Sequence, residues 1–319
     1  MRLARPLRGA RLALLLFLAG CAREEARAGA VRVAVIPKGT THTFWKAVEA
    51  GARKGAGSAG LTLEWKGPLQ ENDRAQQIQL VQQFVSEGVA GLALAPLDHT
   101  ALVAAVAGAK ARGIPVVIYD SDLDGTPGVD FASFVATDNQ AAGVLAGEHL
   151  ARLLGGTGQA VLLRYAVGSA STEAREAGFL AAARAGGLTI TVDNRYAGAT
   201  AGEAKSTALN LLDALRAAQG VFCSNESATH GMLLALEQAG LAGKLRFVGF
   251  DASPPLVAAL RGGTIDALVV QDPRRMGELA VTTLAAAIRG EEVPAVIDTG
   301  ATLATRGNLV DPAVAALLE

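Results

Sequence analysis

The sequence predicts an α/β chain made of two doubly wound parallel-sheet lobes, and three observations predict it. Short apolar runs rich in β-branched residues alternate with helical segments from residue 31 onward. These runs are apolar on both sides, the pattern of strands inside a parallel sheet covered by helices. The alternation comes in two series, and 319 residues is the natural length for two domains of roughly 150 residues each.

Taken in order, the first thirty residues stand outside that pattern. Arg2, Arg5, Arg8 and Arg11 precede the short apolar run LALLLFLAG, a secretory signal too short to span a bilayer permanently. The run ends in LAGC, Leu18 to Cys21, which resembles the bacterial lipobox; the resemblance implies cleavage before Cys21 and a lipid on its thiol. Residues 1–20 are then a lipoprotein signal peptide, and residues 21–30 a small, charged tether that keeps the chain beside a membrane.

The first series follows. VRVAVI (31–36) leads to a helix near 43–58, LTLEW (61–65) to one near 72–87, and GLALA (91–95) to one near 98–112, before IPVVIY (114–119). SFVATDN (133–139) reads as a loop that breaks the rhythm. The second series is QAVLLRY (159–165), LTITVDN (188–194), GVFCSN (220–225), LRFVGFD (245–251) and IDALVVQD (265–272), each spaced by a helix. Gly186-Gly187 and Gly262-Gly263 close helices, and Pro254 follows Ser253 as a first-turn proline after an N-cap.

Composition and motifs exclude several functions. A net charge of −1 leaves no electrostatic footprint for nucleic acid. GAGSAG (55–60) fits G-x-G-x-x-G, but it closes a helix, whereas a dinucleotide loop follows a strand and opens one. There is no P-loop, G-x-S-x-G or H-E-x-x-H. His42, His99, His149 and His230 lack metal-ligand spacing, so neither a metal nor a cofactor is expected. Cys223 ends an apolar run and reads as a buried, inert thiol. Asp120 and Asp122 are paired acids, but carboxylates at strand ends bind hydroxyls as well as they catalyse, and no catalytic residue is assigned.

In open α/β sheets ligands gather at the carboxyl ends of strands. Those ends carry Lys38, Thr40, Thr41, His42, Asp98, Asp120, Ser121 and Asp122 in the first half, and Arg164, Ser169 to Glu173, Asn225, Glu226, Asp251 and Gln271 in the second. Two polar faces of this kind imply a cleft. At its edge THTFWKAVEAG places Phe44 and Trp45, two of only 14 aromatics, at the start of a helix. Adjacent helical positions point about 100° apart, so both cannot face one core. Flat rings at the edge of a cleft can bury the apolar face of a small ligand while polar groups fix its rim.

THTFWKAVEAG, GIPVVIYDSDL, FVATDN with Gly143, STEAREAGF, VFCSNESATHGML, FVGFDASP and ALVVQDP, in this order, resemble the periplasmic sugar-binding proteins of the ribose-binding type, which have the type I periplasmic binding protein fold. The resemblance implies two lobes joined by a three-stranded hinge, with passages near Thr137–Asp138, Gln271–Asp272 and Asp298. The N-terminal lobe is then 31–137 plus 272–297, and the C-terminal lobe 138–271 plus 298–319. It implies a non-enzymatic solute-binding lipoprotein that captures a sugar or polyol in the cleft as a monomer. Phe44 and Trp45 match the stacking pair, and His42 stands where the family often has an amide. Asp120, Asn225, Asp251 and Gln271 match polar contacts. The family's two arginines are replaced by Ser121 and Glu173, which places Glu173 in the ligand set, with Lys38 or Arg164 as substitute donors and Tyr196 as a further aromatic. The partners implied are a small carbohydrate, the membrane subunits of an ABC permease and, through the lipid, a membrane. The alternatives are a ligand-sensing subunit of a chemoreceptor or histidine kinase, and a sugar-modifying enzyme.

Overall fold

The computed structural model describes Met1 and residues 31–318; the signal segment, Cys21 and the 22–30 tether lie outside the described residues. The first series builds β1 (Arg32–Ile36), α1 (Thr43–Ala59), β2 (Thr62–Trp65), α2 (Arg74–Glu87), β3 (Gly91–Leu94), α3 (Val103–Ala111), β4 (Val116–Tyr119) and β5 (Ser133–Ala136). Next come α4 (Asn139–Leu153), β6 (Gly158–Arg164), α5 (Ala170–Ala185), β7 (Leu188–Tyr196), α6 (Ala201–Leu209), α7 (Leu212–Ala217) and β8 (Gly220–Cys223). The chain ends with α8 (Glu226–Gln238), β9 (Arg246–Phe250), α9 (Pro254–Gly262), β10 (Ala267–Gln271), α10 (Pro273–Ile288), β11 (Val296–Asp298), β12 (Ala301–Thr305) and α11 (Pro312–Ala315).

The strands form two six-stranded sheets that repeat one order, β2-β1-β3-β4-β5-β11 and β7-β6-β8-β9-β10-β12. Every pairing is parallel except β10 with β12. The central strands β3, β4, β8 and β10 are buried at every residue, as two-sided helix cover requires. Each sheet has a core on both faces. Val33, Trp45 and Val281 lie on one side of the first sheet and Ile36, Phe84 and Leu92 on the other. Phe179, Phe222 and Phe250 lie on one side of the second, and Val221, Met232 and Phe247 on the other.

Two expectations change. SFVATDN is not a loop: Ser133–Ala136 is a strand between β4 and β11, closed by Asp138, whose carboxylate caps α4 through the Ala141 amide. The helix expected from residue 98 begins at Val103, because Asp98 accepts from the amides of Thr100 and Ala101 and holds a turn there.

The lobes exchange helices. The α4 helix follows β5 of the first sheet but packs on α5, and α10 follows β10 of the second but packs on α1. Both helix pairs approach through glycine: a Cβ on Gly51 would collide with the Arg274 carbonyl, and one on Gly143 with the Arg175 carbonyl. Between the sheets the chain passes at 137–138, 271–272 and 299–300. Thr137 ties these passages together, its hydroxyl 2.9 Å from Gln271 Oε1 and 3.1 Å from the Gly300 carbonyl.

Candidate functional site

A cavity of about 320 Å³ lies where the carboxyl ends of both sheets face each other. From the first lobe it takes Lys38 beyond β1, then His42, Phe44 and Trp45 at the start of α1. Glu71, on the loop before α2, and Asp120 beyond β4 complete that side. The second lobe adds Tyr165 beyond β6, then Ser171, Thr172 and Arg175 on the first turns of α5. Asn225 and Glu226 enter at the start of α8, Asp251 beyond β9 and Gln271 at the end of β10. Cavities of about 660 and 730 Å³ flank it, but neither gathers buried charges from both lobes. That convergence, more than volume, marks a binding site.

The charges are buried and arranged in chains. Lys38, 2% exposed, places Nζ 3.4 Å from Asp120 Oδ2 and donates to the hydroxyls of Ser169 and Ser171 across the cleft. Burial pushes the Asp120 carboxyl up, with Lys38 opposing. Glu71 Oε1 accepts from His42 Nδ1 at 2.6 Å and Trp45 Nε1 at 2.7 Å, and Oε2 accepts from the Tyr165 hydroxyl of the other lobe at 2.9 Å. Burial works against both charges in the His42–Glu71 pair, but their contact prevails: His42 is raised to about 9 and Glu71 lowered to about 2.

In the second lobe Asp251 accepts from Gln271 Nε2 at 2.7 Å and from the Glu226 amide at 3.0 Å. Burial pushes it up to about 6, with Arg175 opposing. The Arg175 guanidinium lies 3.9 Å over the Phe250 ring, a desolvated cation–π contact. It donates to Asn139 and to the Ser224 carbonyl. Asn225 caps α8 through the Ala228 amide. Phe44 and Trp45 meet edge to face at 5.0 Å, with Trp45 buried and Phe44 part-exposed.

The structure therefore brings together Lys38, His42, Phe44, Trp45, Asp120, Asn225, Asp251 and Gln271. Glu173 does not join them. Its Oε1 accepts from the Gly168 amide at 2.8 Å and its Oε2 lies 3.8 Å from His99 Nε2, on the rim. Arg164 turns away to Glu176, and Tyr196 is exposed at the end of β7. Sequence reasoning missed Glu71, Tyr165 and Arg175, the last of which brings a guanidinium to the cavity lining. Among the described residues no group of His, Cys, Asp and Glu is arranged to hold a metal ion.

Comparison with known proteins agrees with this architecture. The periplasmic binding protein domain matches residues 33–292. The D-allose-binding periplasmic protein of Escherichia coli is 28% identical over 253 residues, 78% of this chain and 81% of that one. A solute-binding protein of an ABC transporter from Agrobacterium vitis, solved with bound D-fucose, is 36% identical with a TM-score of 0.87, over 90% of this chain and all of that one. A carbohydrate transporter solute-binding protein from Agrobacterium radiobacter, in complex with D-arabinose, is 33% identical with a TM-score of 0.87, over 92% of this chain and all of that one. With its two α/β lobes and the residues matched, the chain belongs to the periplasmic binding protein family.

Proposed function

We propose that this protein is an extracytoplasmic binding lipoprotein that closes its two lobes around one small neutral carbohydrate and delivers it to an ABC permease. The observation that carries the reading is the cavity between the sheet ends, where part-exposed Phe44 stands among charged groups from both lobes. An aromatic face suits the C–H face of a sugar, and carboxylates beside cations suit its hydroxyls. Lys38, His42 and Arg175 are set against Asp120, Glu71, Asp251 and Glu226. Such a nearly balanced site gains nothing from an anionic ligand and accepts hydroxyls as both donors and acceptors. The similar proteins that bind D-allose, D-fucose and D-arabinose point to the same class.

Binding requires no catalytic group, and we assign none. Closure follows from the tied passages at 137–138, 271–272 and 299–300, with a ligand favouring the closed form through contacts made only there. The lobes are then 31–137 plus 272–298 and 138–271 plus 299–319, one residue beyond the expected boundary because Asp298 ends β11, paired with Ala136. Anchoring rests on LAGC ending at Cys21, and mass spectrometry of the native N-terminus tests it: a diacylglyceryl adduct on Cys21 is expected, and an intact Met1 overturns it. For the site, calorimetry against D-fucose, D-arabinose, D-allose and their acid and phosphate derivatives is decisive. A neutral sugar should bind near micromolar affinity, about −8 kcal/mol. Binding confined to the anionic derivatives would defeat the reading.

A further inference from the structure

Helix α1 runs 17 residues, yet its N-cap, His42, makes no side-chain cap and its first turn holds no acidic residue. The first amides of a helix need acceptors, and its N-terminus attracts negative charge. Here the acceptor comes from the opposite lobe. Glu226, the first residue of α8, places Oε2 3.0 Å from the Phe44 amide and Oε1 3.3 Å from the Thr43 amide. The two groups are 182 and 183 residues apart in the chain, and they stand on different sheets' helices.

We infer that Glu226 is a positioning residue for binding, a cap supplied across the cleft that α1 receives only when the lobes close. The contact fixes the backbone of Phe44, and with it the ring that lines the cavity. Glu226 is itself placed by Asp251, which accepts from its amide, so the arm reaches from the strand end of one lobe to the helix start of the other. On opening, the α1 amides and the Glu226 carboxylate return to water, so the cap stabilises the closed form against the open one. A contact made after encounter slows departure more than it speeds arrival.

This inference rests on the closing-cleft reading above, and its test separates the two. Glu226→Asp keeps a negative charge at the start of α8, as the dipole there favours, but is one methylene too short to reach α1. Stopped-flow measurement with D-fucose and with D-arabinose should show dissociation about tenfold faster, the size of a lost cap, with association within twofold of wild type. The ratio of affinities for the two sugars should stay unchanged, because both oxygens of the carboxylate are already engaged by the Thr43 and Phe44 amides. Unchanged dissociation, or an altered ratio, overturns the inference. If neither sugar binds, the carbohydrate reading fails, and the cap is judged on the free protein. Spin labels on the two lobes should then report fewer short interlobe distances in Glu226→Asp than in wild type, and identical distributions overturn it.

Discussion

Asp120 and Asp251 occupy the same place in two lobes. Each follows the fourth strand of its sheet, β4 or β9, and each accepts the left-handed backbone, with φ of 63° and 67°. Each donates its amide to the neighbouring strand, to Val135 or Val269. They are the non-glycine residues with positive φ among those described, a conformation aspartate tolerates better than most. Their partners differ. Asp120 faces the buried ammonium of Lys38, while Asp251 faces an amide side chain, a backbone amide and a guanidinium already spent elsewhere. The same backbone turn thus carries an ion pair in one lobe and a half-compensated acid in the other.

The strongest way to break the comparison is to remove each carboxylate. Asp120→Ala strands Lys38 in a buried site and should cost about 3–5 kcal/mol of stability, measured by urea unfolding. Asp251→Ala removes a charge that burial already disfavours, so its cost in stability should be smaller. Its cost in affinity should be large, about a hundredfold or more for the sugar that wild type binds best. Calorimetry showing wild-type affinity in Asp251→Ala would remove it from the site.

Burial raises both acids, and Asp251 gives the titration that can be followed. Asp251 is raised from an ordinary 3.8 to about 6, so its folded form holds a proton that the unfolded chain has released. That contribution to stability is complete below pH 3.8 and is lost as pH rises through 6, a change of about 3 kcal/mol. Asp251→Asn cannot titrate. The stability of wild type minus that of Asp251→Asn should therefore fall between pH 4 and pH 7. A flat difference would mean that Arg175 neutralises Asp251 fully.

Outside the site the lobes should behave alike. Gly51 and Gly143 hold α1 against α10 and α4 against α5 with no room for a methyl group. Gly51→Ala and Gly143→Ala should each destabilise by about 1–3 kcal/mol. Thermal unfolding that finds one variant near neutral would show that its helix pair can slide where the other cannot.

These contrasts mark what the residues reveal before folding. Central strands are legible because two-sided burial writes runs such as VVIY and LALA. The β5 strand was hidden because its four residues run directly into the Asp138 cap. The β11 and β12 strands are short and part-exposed, so they carry neither an apolar run nor an alternation. Asp120, Asp251 and Gln271 stood out because they end strands. Glu71 gave no such signal: it lies in a loop, and only folding brings it to His42, Trp45 and Tyr165. Tyr165 did end a predicted strand, QAVLLRY, and was passed over for Tyr196.

Glu173 and Arg175 show the limit most sharply, and they carry the smallest predicted effect. Residues two positions apart on a helix lie about 200° around it, so when α5 turns Arg175 into the cavity it must turn Glu173 to the rim. There Glu173 meets His99, which Asp124 also holds at 2.6 Å. The Asp124 contact is the larger cause that raises His99. This cluster repeats the histidine–carboxylate geometry of His42 and Glu71, but in contact with water, where such pairs contribute roughly 0–1 kcal/mol. Glu173→Gln should therefore change sugar affinity by less than about threefold and leave the ranking of sugars as it was. Asp251→Ala in the same assay sets the scale for a residue inside the cavity. A reordered ranking in Glu173→Gln would return Glu173 to the ligand's side of the helix and require α5 to rotate on closing.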